Sequence, residues 1–294
     1  MKLNYQLLDV FTRKRLAGNP LAVVLKADGL MDNQMQAIAK EFNLSETVFV
    51  CKPKSERHAA ALRIFTPWVE LPFAGHPTVG TAVALALSGR TTALRLEEKV
   101  GVITCVVERL EKHLGKARFA LPVLPEEVGK PPAKPAIASS LGLEPDEIGC
   151  GLYQPALFSA GVPFYLVPVR DPDCLKRIKL ERRGWDEVYP VGRHSVYVFT
   201  ETPNEVGNDF AARMFAPSGV GEDPATGSAA AALIGLIARH AAAGQHEFAL
   251  RQGHEMGRPS LIELQLRKDG DELAHGGIGG HAVQVGEGVL DLDE

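Results

Sequence analysis

The chain has 294 residues, 45% of them hydrophobic and 23% charged, with a net charge of −4. That length fits about two domains, the balance is that of a globular chain, and the charge exerts no long-range pull toward nucleic acid or an anionic membrane. Four scattered cysteines (Cys51, Cys105, Cys150, Cys174) include no C-x-x-C pair and no neighbouring His at ligand spacing. This argues against a zinc site and a disulfide framework, and for reduced, mostly buried thiols.

In chain order, YQLLDVFT (5–12) and NPLAVVLKA (19–27) read as strands around a turn holding Gly18, Asn19 and Pro20. The first residues alternate like a strand and lack the apolar core of a signal peptide. The longest apolar or small-residue run, Ala229 to Ala238, is far short of the roughly 20 residues that span a bilayer. A cytoplasmic protein without membrane or nucleic-acid partners is therefore expected. MDNQMQAIAKEF (31–42) has helical periodicity, with Asp32 as its N-cap. SETVFVCK (45–52), AALRIFTP (60–67) and ALRLEEKVGVITCVVERL (93–110) alternate as strands, Gly101 marking a turn or bulge.

Five prolines between Leu121 and Pro135 forbid a continuous helix or a central strand there. The expected organisation is a first domain over 1–121, a linker over 122–135, and a second domain over 136–294 whose last strand is free to return to the first. In the second domain, AIASSLGL (136–143) reads as a short helix. PALFSAGVPFYLVPV (155–169), HSVYVFT (194–200), PSLIELQLR (259–267) and HAVQVGEGVLDL (281–292) read as strands.

Two segments stand apart: ELPFAGHPTVGTAVALALSG (70–89) and EDPATGSAAAALIGLIARH (222–240). Each has a Pro, a Gly and hydroxyl residue three and four positions on, and an Ala-rich apolar helix. Placing Pro77 on Pro224, an offset of 224 − 77 = 147, sets Gly80 on Gly227 and Thr81 on Ser228. Half the chain length is the offset a duplicated domain would give. A helix opening at such a step offers free N–H groups and the positive end of its dipole, and Gly lets an anion approach the backbone. Two such mouths across a cleft would grip a small carboxylate or stabilise an enolate; alternatively, Thr81 and Ser228 merely line closely packed helices.

On that alignment His76 and Asp223, each just before its Pro, occupy matching places. The His can move protons near neutral pH and the Asp can orient a proton-transfer partner. In NLSETVFV (43–50), a strand from Ser45 puts Glu46, Val48 and Val50 on one face. Desolvated there, Glu46 would have a raised pKa suited to acid–base work; if wet at the strand's first residue, it would be inconsequential. GGIGGH (276–281) lacks dinucleotide-binding spacing, and no phosphate-binding G-x-x-x-x-G-K-[ST] occurs. RQGHEMGRPS (251–260) fits either a loop closing over an anion or a turn with a solvated Arg.

GNPLAVV (18–24), NLSETVFV, FTPWVELPFAGHPTVGTA (65–82), FAPSGVGEDPATGSAA (215–230) and QGHEMGRPS (252–260) together resemble the signature blocks of the PhzF-like phenazine-biosynthesis isomerases, of the diaminopimelate-epimerase-like superfamily. The resemblance implies an α/β fold duplicated into two pseudo-symmetric domains, each wrapping strands around a central helix, with the active site between them. It implies Glu46 as the acid–base, His76, Asp223 and Ser228 in proton handling and substrate binding, and Gly75 and Gly227 at the substrate carboxylate. It also implies a homodimer needing neither metal nor organic cofactor, and an isomerisation of trans-2,3-dihydro-3-hydroxyanthranilate or an analogue by proton transfer. The rivals are a superfamily epimerase or racemase, disfavoured in its two-thiol form because no Cys lies at either helix mouth, and a non-catalytic binder of small carboxylates.

Overall fold

The computed structural model describes residues 1–89, 92–192, 194–203, 207, 209–217 and 221–292. The chain divides into two compact units, Met1–Pro122 with Gly279–Glu294, and Val123–Ile278. The chain's end thus belongs to the first unit.

In the first unit the strands are β1 (Lys2–Val10), β2 (Asn19–Val24), β3 (Glu46–Cys51), β4 (Ala60–Phe65), β5 (Glu70–Leu71), β6 (Ala93–Glu98), β7 (Gly101–Arg109) and β8 (Leu114–Ala120). β1 pairs antiparallel with β2, β2 parallel with β3, β3 antiparallel with β4, β4 parallel with β6, and the ladder continues antiparallel through β7 to β8. The returning segment, 279–291, pairs with both β1 and β8 and closes the ring. A closed ring leaves no unpaired edge. α1 (Asp32–Phe42) packs Met35, Ile38 and Ala39 outside it against Val24, Phe49 and Phe65. Met31, not Asp32, is its N-cap residue. Asp32 stands in the first turn with its carboxylate 2.6 Å from Arg63 Nη1, and the Gln34 side chain accepts the Met31 N–H.

α2 (Gly75–Ser88) is buried on nearly every side. Its sequence dictates this: a helix without a polar stripe must be surrounded by apolar surface. Small residues let the strands close on it. A Cβ added at Gly80 would stand 2.5 Å from Leu21 Cδ2 and 2.7 Å from Val10 Cγ2.

The second unit comprises β9 (Glu126–Gly129), α3 (Lys134–Leu141), β10 (Ala156–Ser159), β11 (Pro163–Pro168), α4 (Pro172–Lys176), α5 (Trp185–Val188), β12 (Val196–Glu201), β13 (Phe210–Ala216), β14 (Gly221–Asp223), α6 (Gly227–Ala238), β15 (Gly244–Gln252), β16 (Ser260–Asp269) and the first part of β17 (Glu272–Asp291). Its pairings repeat the first unit's in kind and order: β10–β11 antiparallel, β11–β12 parallel, β12–β13 and β13–β14 antiparallel, β13–β15 parallel, β15–β16 antiparallel. α6, like α2, is an all-round buried helix following a short strand.

The repeat fixes residue equivalences. Glu70 pairs with Phe65 and Glu222 with Phe215. Arg63 forks onto Glu70 through Nε and Nη2, both at 2.8 Å, and Arg213 forks onto Glu222 at 2.7 and 2.9 Å. Glu70 therefore corresponds to Glu222, an offset of 222 − 70 = 152. ELPFAGH lies on EDPATGS, Gly75 on Gly227, and His76 on Ser228. The offset of 147 is five residues short, and Asp223 matches Leu71 rather than His76.

The Pro-rich stretch is also more than a linker. Glu126 to Gly129, between Pro125 and Pro131, form β9 along β10. Prolines flank the strand and occupy no laddered position, so the sequence rule against central strands is obeyed at its edges.

Candidate functional site

Glu46 opens β3 and His76 is the second residue of α2. Phe49, on the opposite face of β3, packs against α1, so Glu46, Val48 and Val50 share the other face. His76 Nδ1 lies 3.4 Å from Glu46 Oε2, with the His side chain 4% and the Glu side chain 18% exposed. The third member is Asn19, fully buried on β2, whose Nδ2 is 3.5 Å from His76 Nδ1. It is delivered by the GNP turn. Gly18 has φ +65°, and a Cβ there would lie 2.3 Å from the Val10 carbonyl oxygen, so only glycine fits.

Burial pushes the His76 imidazole down to about 3, so the ring is neutral near pH 7. A neutral ring beside a carboxyl group can exist in two arrangements. If Glu46 is ionised, Nδ1–H donates to it and Nε2 is a bare acceptor. If Glu46 is protonated, Nδ1 accepts from it or from Asn19, and Nε2 carries the hydrogen. Nε2 is buried without a hydrogen-bond partner among the described residues. Such a polar atom is costly to leave unmade and is suited to meeting a ligand.

No side chain caps α2 or α6, so Gly75 and Gly227 open helices whose first N–H groups point outward along the dipole. In the second unit, Asp223 ends β14 and is buried. Thr226 Oγ1 donates to Asp223 Oδ2 at 2.6 Å and accepts from Gln252 Nε2 at 3.0 Å. Gln252 Nε2 also donates to the Asp223 carbonyl, while its Oε1 accepts from the Thr226 N–H and the Tyr197 hydroxyl. Burial, then the charge of Asp223, pushes the Tyr197 hydroxyl well up, so it remains a donor. Gln252 thus uses both ends of its amide to set the entrance of α6. The turn after it, Gly253 at φ +76°, lies so close to Pro224 that a Cβ would be 2.5 Å from that carbonyl oxygen. The QGHEMG stretch is therefore a support for EDPATGS.

A family model described as phenazine biosynthesis-like protein matches residues 8–288. This chain belongs to that family. An uncharacterised isomerase of Mesorhizobium japonicum is 48% identical over 98% of both chains. The trans-2,3-dihydro-3-hydroxyanthranilate isomerase of Pseudomonas fluorescens is 35% identical over 98% of this chain and 99% of its own. The crystal structure of a Bacillus anthracis phenazine biosynthesis protein of the PhzF family matches with TM-score 0.88 and 26% identity, covering 99% of this chain and all of that one. The fold is the diaminopimelate-epimerase-like one, and the chain is an isomerase of the PhzF family.

Within this family framework, the first unit brings Glu46 and His76 together, and the second gathers Asp223, Gly227 and Ser228 along the β14–α6 turn. Ser218 to Val220 of the fourth signature block lie outside the described residues. Sequence reasoning missed Asn19, Thr226, Gln252 and Tyr197, although Asn19, Thr226 and Gln252 stand in quoted blocks; amides and a hydroxyl in Gly-punctuated turns were the available signal. All four cysteines are free, and the residues after Gly75 and Gly227 are His76 and Ser228. Among the described residues no group of three or more His, Cys, Asp or Glu is arranged to hold a metal ion, and no helix is long and apolar enough to cross a membrane.

Proposed function

We propose that this isomerase moves a proton along a small, unsaturated, carboxylated substrate, with trans-2,3-dihydro-3-hydroxyanthranilate or a close analogue as the leading candidate. The observation that carries the reading is the Glu46–His76 pair: a carboxyl group 3.4 Å from a buried neutral imidazole at an uncapped helix mouth. Glu46 takes the hydrogen from C3 as a proton, and the electron pair of that C–H bond spreads along the diene. The same carboxyl returns the proton at the far end of the diene, and the resulting enol tautomerises to a ketone. No proton is gained or lost overall, so the step needs only one carboxyl that can accept and then donate. His76 holds Glu46 and presents its second nitrogen to the substrate. Asp223, Ser228 and the N–H groups following Gly75 and Gly227 are assigned to substrate binding, which fits their polarity and their positions at helix entrances.

The test is turnover of trans-2,3-dihydro-3-hydroxyanthranilate in D2O by the wild type and Glu46→Gln. Removing a positioned acid–base group costs about 10²–10⁴-fold, so the variant should lose at least two orders of magnitude in kcat, and solvent deuterium should enter the wild-type product. A fully active Glu46→Gln would overturn the assignment of Glu46. Absence of turnover by folded wild type would remove this substrate and direct the search to other unsaturated carboxylates.

A further inference from the structure

Glu98, the last residue of β6, is a buried carboxyl that the proposed chemistry does not use. Its Oε1 lies 2.7 Å from Thr78 Oγ1, and Thr78 Oγ1 lies 2.8 Å from the carbonyl oxygen of Ala74, the N-cap residue of α2. A hydroxyl has one proton. It can go to an ionised Glu98, leaving the Ala74 carbonyl unserved, or to the Ala74 carbonyl, with a neutral Glu98 donating to Thr78; only the second arrangement makes both contacts hydrogen bonds. The residues spanned by this relay, Ala74 to Thr78, include Gly75 and His76.

The second unit supplies an independent parallel. β4 pairs with β6 as β13 pairs with β15, with Ala60 on Leu96 and Phe210 on Leu250. Phe65 and Phe215 are equivalent, so Ala60 matches Phe210 and Leu96 matches Leu250. Two residues on, Glu98 matches Gln252. Gln252 is the amide that sets the entrance of α6 through Thr226 and the Asp223 carbonyl. Glutamine is the permanently neutral isostere of a protonated glutamate. Both units therefore place a side chain of the same length and shape, carboxyl in one and amide in the other, at the end of the same strand and on the entrance of their central helix.

We propose that Glu98 is a positioning residue for the reaction: as a neutral acid it fixes the first turn of α2 through Thr78, and with it His76. This rests on the reading of Glu46 and His76 given above. Burial pushes Glu98 up to about 8, against a smaller pull from the Thr78 hydroxyl, which turns to the carboxylate and leaves the Ala74 carbonyl once Glu98 is ionised. Thr78 from α2 is bonded to it, and the Glu98 charge, after burial, helps hold the neighbouring Cys105 thiol of β7 up to about 12. Above about pH 8 the donor is lost, and the relay should open.

The experiment compares wild type, Glu98→Gln, Glu98→Ala, Thr78→Val and Glu46→Gln by amide hydrogen exchange of Thr78 to Gly80, starting with the Thr78 N–H that closes the turn on the Ala74 carbonyl, expressed as protection factors, and by the pH profile of kcat with trans-2,3-dihydro-3-hydroxyanthranilate. In the wild type, protection of this turn should drop about tenfold between pH 7 and pH 9.5, and kcat should fall with it. Glu98→Gln should keep both within about threefold and abolish the alkaline fall. Glu98→Ala and Thr78→Val should lose about tenfold or more in protection and kcat at pH 7, with KM within about twofold. Wild-type protection in Glu98→Ala and Thr78→Val, or an alkaline fall surviving in Glu98→Gln, would overturn the proposal. The exchange arm needs no substrate, so an active Glu46→Gln would sink the acid–base reading while leaving the Glu98 result to stand or fall by itself.

Discussion

Replacing Glu98 by Gln should stabilise the first unit, increasingly so as pH rises from the acid range to about 8. Glu98 has an ordinary value of 4.5 and is pushed up to about 8 in the folded chain. Below 4.5 the carboxyl is protonated whether the chain is folded or unfolded, so it contributes no pH dependence. Between 4.5 and about 8 the unfolded chain has released this proton and the folded chain retains it. Folding stability then falls as pH rises, at about 1.4 kcal/mol per pH unit. Above about 8 both states are ionised and the loss levels off, at about 5 kcal/mol over the whole interval. His76 works in the opposite sense: lowered from 6.5 to about 3, it removes stability as pH falls through that interval. The two slopes cancel between 4.5 and 6.5 in the wild type, and subtracting wild type from Glu98→Gln removes the His76 contribution. Gln keeps the donor to Thr78, so the difference should isolate Glu98. The assay is urea unfolding of both proteins at steps of about one pH unit from about pH 4 to about pH 9. A difference of near zero at the acid end that grows to several kcal/mol at the alkaline end is expected; a flat difference, or one shrinking as pH rises, would refute the neutral-acid assignment.

Three further outcomes test the fold around the two helices. Gly80→Ala should destabilise by about 1–3 kcal/mol from overpacking, against a helix-propensity gain of at most about 1 kcal/mol, because the new methyl meets Leu21 and Val10; thermal unfolding would read this. Arg213→Met should cost more than Arg63→Met, about 3–5 against about 1–3 kcal/mol, because Arg213 also donates to the Leu175 carbonyl whereas Glu70 keeps Lys99 when Arg63 is removed; equal losses in denaturant midpoints would contradict this. All four thiols are pushed up, primarily by burial, Cys51 to about 11 and Cys105 to about 12. Native protein should therefore react slowly with a thiolate-selective disulfide reagent near pH 8 and release four equivalents once denatured, and rapid native labelling would contradict the burial argument.

The parts of this fold that could be read from sequence are those governed by local patterning. A helix apolar on all sides announces a central position, and both α2 and α6 obey. Alternation placed β1 to β4 and put Glu46 on the Val48 face. Register and long-range pairing were not legible. Pro followed at three and four by a Gly and a hydrogen-bonding residue occurs twice in the first segment, as Pro72–Gly75–His76 and as Pro77–Gly80–Thr81. The second copy resembles Pro224–Gly227–Ser228 more closely in residue type, and composition alone selects it. The ladder decides otherwise, because Glu70 opposite Phe65 and Glu222 opposite Phe215 are set by hydrogen bonds between strands.

With the correct register, the two units differ in a consistent direction at the positions that matter. Thr47 and Val196 both face the equivalent Phe65 and Phe215, so Glu46 is matched by Ser195. His76 is matched by Ser228 and Glu98 by Gln252. At three equivalent places the first unit carries a titratable group and the second a neutral hydrogen-bonding one of smaller or equal size. The exchange runs the other way once, at Leu71 and Asp223, and Asp223 is held by Thr226 within the Gln252 network. Duplication alone would leave such positions alike or scatter their differences. That pattern fits the proposed division of labour, in which proton movement falls to Glu46 and His76, with Glu98 as their support, and substrate binding to Ser228 and the Asp223–Thr226–Gln252 network. If that division is correct, converting Ser228 to Ala should raise KM more than it lowers kcat, whereas Glu46→Gln should do the reverse.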